Sequence, residues 1–100
     1  MRIIAFRTLR EFWENPEYRD AEQQLKSWYK AIKEENWDNP HSIIARFRYT
    51  DQMGNGMLVF NICHNKYRLV VKIKYDKQIC YIRFIGTHKQ YDKIQDIKNV

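Results

Sequence analysis

One hundred residues carrying a net charge of +6 and 44% hydrophobic side chains describe a folded domain, not a disordered chain. The whole of residues 1–100 is expected to form a single domain with one core. No run approaches the roughly 18 apolar residues that span a bilayer. The opening MRIIAFRTLREFW lacks the apolar core of a secretory leader, so the expected location is the cytoplasm, with no membrane partner.

Arg2 to Phe6 is short, apolar and β-branched, and reads as a strand. Thr8, with Glu11 three residues on, reads as a capping box that starts a short helix carrying Leu9, Phe12 and Trp13. Asn15-Pro16 then opens a second helix running to about Glu35. Ala21, Leu25, Trp28 and Ile32 share one face of it. Pro40 disfavours helix at Asn39 and ends that element, and Ser42 to Phe47 reads as one further helical turn.

From Arg48 the period changes to two. Asp51 to Gly56 reads as a turn-rich loop, with Asn55-Gly56 suited to a tight hairpin. Met57 to Ile62, Lys66 to Tyr75 and Ile79 to Ile85 are strands, joined by turns at His64-Asn65 and Asp76-Lys77. Thr87-x-x-Gln90 is a second capping box, opening a short helix to about Ile97. The expected architecture is α+β. A strand and two helices pack on a mostly antiparallel sheet of three or four strands, followed by the C-terminal helix.

Alternation in the Lys66–Tyr75 strand puts Arg68, Lys72 and Lys74 on one face, with only Val70 between them. Same-face neighbours lie about 6.6 Å apart, a spacing that resembles phosphates along a nucleic-acid strand. Arg83 joins them if the register of its strand allows. Solvated sheet faces usually mix signs, and these two strands carry no Asp or Glu between Lys66 and Tyr75 or between Ile79 and Ile85. His88 sits where a strand end meets a helix start, a position that suits acid–base work and a bound phosphate. Tyr91 lies one turn later, able to stack on a base or share a proton. Taken alone, such residues are more often surface or packing groups; the cationic sheet face beside them makes a functional reading equally good. His41 and His64 fall at a helix start and in a turn, and are weaker candidates.

Cys63 and Cys80 lie inside apolar runs and read as two buried free thiols of a reducing compartment. Cys63-His64 is adjacent and has no second pair, so no metal site is expected. No phosphate-binding Gly-rich loop or Ser nucleophile elbow is present, and no cofactor is expected.

The stretches KEENWDNPHSI, LVFNICHNKYRLVVKIKY and CYIRFIGTHKQYDKI resemble the HigB family of bacterial toxin–antitoxin toxins, which are RelE-like mRNA interferases. The likeness covers most of the chain. It implies a RelE-type α+β fold and endonucleolytic cleavage of mRNA in the ribosomal A site. It also implies a helix-turn-helix antitoxin that carries the complex to operator DNA. By the same likeness Arg68, on the YRLV strand, is a catalytic arginine, and His88, after the strand-ending Gly86, is the acid or base. Tyr91 matches a catalytic tyrosine. Lys66, Lys72, Lys74, Arg83 and Lys89 complete the set as RNA contacts. Some RelE relatives also use a Lys pair on the preceding strand, where this chain has Val59 and Asn61. A non-catalytic RNA- or ribosome-binding module is the alternative that the same cationic face supports.

Overall fold

A computed structural model describes residues 1–97. Five strands form one sheet in the order β1-β5-β4-β3-β2. They are β1 (Arg2–Ile4), β2 (Thr50–Gly54), β3 (Met57–Ile62), β4 (Tyr67–Lys74) and β5 (Ile79–Thr87). β1 runs parallel to β5, and every other pair is antiparallel. The α+β class is as expected, but the sheet is larger than three or four strands. The N-terminal strand joins its edge, and Asp51 to Gly54, part of the expected Asp51–Gly56 loop, pair with β3 as most of β2. The hairpin turn itself is Asn55-Gly56, with φ of 54° and 77°. Gly56 has a further constraint, since a Cβ there would stand 2.9 Å from the Ile73 carbonyl oxygen.

The helices are α1 (Phe6–Glu14), α2 (Glu22–Glu34), α3 (Pro40–Arg46) and α4 (His88–Asp92), with a 3-10 helix over Pro16–Ala21. Three sequence expectations change here. Thr8 is not the cap of α1, because the helix begins at Phe6 and Glu11 instead accepts from Arg7 Nε at 2.7 Å. The second helix is split at Tyr18, whose φ of −116° is not helical. The bend lets Tyr18 stack on Phe12 at 4.5 Å and meet the edge of Tyr67 at 5.8 Å. α3 starts at Pro40, two residues before the expected turn, because the Asn39 side chain caps it by accepting from the Ser42 N–H at 3.0 Å.

The predicted face of α2 holds. Ala21, Leu25, Trp28 and Ile32 are buried with Leu58, Phe60, Ile62, Tyr67, Leu69, Val71 and Ile73 from the sheet. β5 breaks its alternation. Val71 pairs with Ile82, but Val70 pairs with Phe84, so Arg83 is an inserted bulge residue. Beyond it the parity flips. Ile85 packs into the helix-side core, whereas Phe84 crosses to the other face. There it joins a second apolar cluster of Met57, Val59 and Val70, flanked by Met53, Tyr91 and Ile97. Of the two cysteines, Cys80 is fully buried, and burial pushes its thiol up to about 12. Cys63 is only partly buried, and its thiol is also raised by burial, then by Asp20.

Asp20 ties the 3-10 helix to β4. It accepts from the buried Tyr67 hydroxyl at 2.6 Å and pairs with Lys66 Nζ at 2.6 Å. The Lys66 hydrogen bond, then that of Tyr67, holds the Asp20 carboxyl below its ordinary value of 3.8. A depressed carboxyl stabilises the fold above its unfolded pKa, and the contribution is lost as pH falls through the folded one. Asp20→Ala should therefore lower the unfolding free energy by about 1–2 kcal/mol near neutral pH, chiefly by orphaning the Tyr67 hydroxyl. The gap from wild type should narrow in urea titrations run at about pH 3.

Candidate active site

Arg68 is the second residue of β4, facing Asn61 on β3 and Gly86 on β5. Its Nη1 donates to the Asn65 carbonyl at 2.8 Å and, more weakly, to the Tyr67 carbonyl at 3.4 Å. Its Cζ lies 5.9 Å from the centre of the Tyr91 ring. The carbonyls and the ring hold the guanidinium plane from two sides. Both bonds use Nη1, which leaves Nε and Nη2 as a fork matched to two oxygens of one phosphate.

The carbonyl that orients Arg68 comes from an unusual turn. Cys63, His64 and Asn65 all have positive φ, of 53°, 52° and 70°. The sequence suggests a two-residue turn, but the ladder closes at Ile62 and Tyr67, leaving four residues to connect. Left-handed backbone costs about 1 kcal/mol or more at each non-glycine residue. The turn is held by the Gln24 side chain, which accepts from the Cys63 N–H at 2.8 Å, and by the Asp20–Lys66 pair.

Gly86 makes room for the start of α4. A Cβ there would lie 2.5 Å from Gln90 Oε1 and 2.6 Å from Phe84 Cζ. Gln90 needs that space, because it completes the expected capping box. Thr87 Oγ1 accepts from the Gln90 N–H at 3.2 Å, and Gln90 Oε1 accepts from the Thr87 N–H at 2.9 Å. The His88 N–H donates to the Lys66 carbonyl at 3.2 Å, which fastens α4 beside the start of β4. The helix has five residues and does not continue to Ile97. It is too short for its dipole to carry the phosphate-binding role expected of it. The His88 side chain is 54% exposed, with Nε2 at 3.5 Å from the Asp92 carboxylate. Tyr91 is partly buried. Burial raises its phenol, Asp51 adds to the rise, and Arg68 opposes it.

Arg68 and Tyr91 thus lie together at one end of the β4–β5 pair, and His88 starts the short helix that carries Tyr91. Lys89 is exposed on α4 beside them, and Lys66 stands at the same end. The ammonium of Lys66 is engaged by Asp20 and lies 5.3 Å from the Tyr67 ring. Lys72, Lys74 and Arg83 are elsewhere. Val70 is fully buried between Arg68 and Lys72, under the Met57–Val59–Phe84 cluster, so the cationic face is not continuous. It is divided into an Arg68 end and a Lys72–Lys74 end. Arg83 belongs to the second, its guanidinium 5.2 Å from Tyr81, which pairs with Lys72. Nor is the face free of acid. Asp51 on β2 acts on Tyr91, and Asp92 faces His88. Both lie outside the two strands whose lack of carboxylates suggested otherwise.

Among the described residues, no three His, Cys, Asp or Glu side chains converge as a metal cage. His41 is exposed at the start of α3, away from these groups. Sequence reasoning missed Asp92 as the neighbour of His88, although its i+4 spacing on a capped helix was legible. It also missed Asn61 as the cross-strand neighbour of Arg68, which only register reveals.

Residues 21–94 match the family HigB_toxin, described as the RelE-like toxic component of a toxin–antitoxin system. The chain belongs to the HigB toxin family. The HigB match contains Arg68, His88 and Tyr91, every candidate RNA contact, and the elements from α2 to α4. The chain is also 30% identical over 98 residues to the "mRNA interferase toxin HigB" of Escherichia coli strain K12. The same identity relates it to the "mRNA interferase HigB" of Escherichia coli O157:H7 and of Shigella flexneri. In each case the likeness covers 92% of this chain and 88% of the relative. As a HigB toxin the chain has an antitoxin as its partner. No helix among the described residues is long and apolar enough to cross a membrane.

The Gly86 contacts make a test of this geometry. Gly86→Ala should displace Gln90 and Phe84, weakening the cap by about 1 kcal/mol and shifting His88 and Tyr91 against Arg68. The expected result is a folded protein by circular dichroism whose toxicity on induction falls at least tenfold.

Proposed function

We propose that the chain cleaves mRNA at the Arg68 end of the sheet, using the 2′-hydroxyl of the substrate as nucleophile. The observation that carries this reading is the clamped guanidinium of Arg68, held by Asn65 and Tyr91 beside the helix that bears His88. The names of its relatives support mRNA as the substrate.

In the proposed step the 2′-oxygen attacks phosphorus and the P–O5′ bond breaks. The products are a 2′,3′-cyclic phosphate and a 5′-hydroxyl. One group accepts the 2′ proton and one donates a proton to the leaving 5′-oxygen. His88 serves in one of these transfers, its Nε2 3.5 Å from the Asp92 carboxylate. Arg68 neutralises the phosphorane through its two-point fork, and acts only if preorganised, as the carbonyl anchor makes it. No metal takes part in this scheme. Tyr91 holds the guanidinium plane and offers its remaining ring face or hydroxyl to the substrate. Lys89 and Lys66 contact the backbone at this end. Lys72, Lys74 and Arg83, set apart by the Val70 cluster, suit flanking phosphates or ribosomal RNA in the A site. The proposed setting is the cytoplasm, with a helix-turn-helix antitoxin that carries the complex to operator DNA. Residues 1–100 act as a single domain.

Arg68→Ala and His88→Ala should each lower cleavage by about 10²- to 10⁴-fold, and Arg68→Lys should restore little, lacking the fork. Primer extension on mRNA from induced cells measures this as loss of discrete new 5′ ends within codons. Variants as toxic as wild type at equal expression would overturn the assignment. Inhibited translation with intact mRNA would favour a non-catalytic ribosome-binding role.

A further inference from the structure

The turn between β3 and β4 holds Arg68 and His88 through two adjoining peptide units. The peptide joining Asn65 to Lys66 presents its carbonyl to Arg68 Nη1 at 2.8 Å. The N–H of that same peptide, on Lys66, donates to the Cys63 carbonyl at 3.1 Å. A peptide is planar, so whatever fixes its N–H also aims its carbonyl. The next carbonyl along, that of Lys66, accepts from the His88 N–H at 3.2 Å. The placement of Cys63 therefore sets the direction in which Arg68 is held, and the neighbouring peptide ties in α4.

Cys63 is not placed by the sheet. It lies past the last paired residue of β3, Ile62, and its φ is 53°. With His64 and Asn65 it makes three left-handed residues in succession, none of them glycine, and each costs free energy. Such backbone persists where its surroundings over-determine it. Here the surroundings are the helix layer. Gln24, the third residue of α2 and 39 positions away in sequence, accepts from the Cys63 N–H through Oε1 at 2.8 Å. On the 3-10 helix just before it, the Asp20 carbonyl accepts from the Cys63 thiol at 3.6 Å, and the Asp20 carboxylate pairs with Lys66 Nζ at 2.6 Å. The turn is gripped at both ends, at Cys63 by Gln24 and at Lys66 by Asp20.

The two grips differ in what else they do. Asp20 also anchors the Tyr67 hydroxyl, so its loss loosens the core as well as the turn. Gln24 is exposed on α2 and takes no part in the core. Its removal therefore acts on the turn, and through the turn on Arg68.

We propose that Gln24 is a positioning residue for cleavage: by holding the Cys63 N–H it sets the turn whose Asn65 carbonyl aims the Arg68 guanidinium at the phosphate. Gln24 itself touches no substrate. The inference rests on the proposed seating of the scissile phosphate at Arg68. A guanidinium released from its anchor still attracts phosphate by charge, but its fork no longer meets two oxygens of the transition state. Loss of Gln24 should then appear in the chemical step and not in binding.

The test is single-turnover cleavage of an mRNA on ribosomes, with excess toxin at rising concentration. This separates the saturating rate from the half-saturating concentration. Wild type, Gln24→Met, Gln24→Glu and Arg68→Ala are compared, and the Arg68 Nε–Hε resonance is recorded for the first three as free proteins. Gln24→Met keeps the length of the side chain but replaces the amide oxygen with a weak acceptor. Its saturating rate should fall about 10- to 100-fold, its half-saturating concentration should move less than about twofold, and its Arg68 resonance should shift. Gln24→Glu, whose carboxylate accepts from the same N–H, should recover most of the rate and the wild-type resonance. A wild-type rate in Gln24→Met, with Arg68→Ala inactive, overturns the positioning role and leaves the phosphate site standing. Gln24→Glu no faster than Gln24→Met also overturns it. So does a raised half-saturating concentration at an unchanged rate, which would make Gln24 an RNA contact. Normal cleavage by Arg68→Ala removes the phosphate site, and the positioning role with it.

Discussion

One inserted residue organises this molecule. The bulge at Arg83 shifts β5 by one position between Val71 and Val70, and everything after it changes face. Without it, strict alternation would send Phe84 and Gly86 into the helix-side core. With it, Phe84 packs on Val70 at the opposite face and Gly86 comes to lie beside Arg68. Only a residue without a Cβ leaves room there for the Gln90 cap, so the bulge, the glycine and the short helix form one device. A bulge adds local twist as well as a flip of parity, and such irregularities recur next to active sites.

The second constraint is apolar packing on both sides of β4. Leu69, Val71 and Ile73 face the helices, and Val70 is buried on the other face. Charged side chains are therefore confined to the strand's ends. Arg68 keeps to the β3–β4 turn, where strained backbone supplies an acceptor for its guanidinium. Lys72 and Lys74 keep to the far end. A surface that composition alone presents as one basic stripe becomes two stations with different neighbours. One has a histidine, a tyrosine and two carboxylates close by; the other gathers Lys72, Lys74 and Arg83 around Tyr81.

Much of this could be read from the residues. The α2 face, the Asn55-Gly56 turn, the inward set of β4 and the Thr87–Gln90 capping box follow from local patterns that tertiary structure did not override. The failures have physical causes. Residues 50–54 are polar and turn-rich because an edge strand faces solvent, and that composition mimics a loop. The Tyr18 kink accompanies its stacking on Phe12 and its edge contact with Tyr67, the latter distant in sequence. The bulge leaves no trace in a period-two pattern, which would put Phe84 on the same face as Cys80 and Ile82. The likeness to HigB toxins located Arg68, His88 and Tyr91, and the structure brings those three to one end. The placements of Asn61 and Asp51 depend on register, which no single strand reveals.

The central claim is that RNA places its scissile phosphate at the Arg68 end. An RNA with a single 2′-deoxy substitution at the cleaved nucleotide lacks the nucleophile and allows the complex to be observed intact. Nitrogen-edited NMR of the arginine Nε–Hε groups, with aromatic spectra of His88 and Tyr91, reads where it binds. The expected result is the largest shift at Arg68, accompanied by His88 and Tyr91, with smaller changes at Arg83. Perturbation centred on Arg83 and the Lys72–Lys74 end, with Arg68 unmoved, would contradict the assignment.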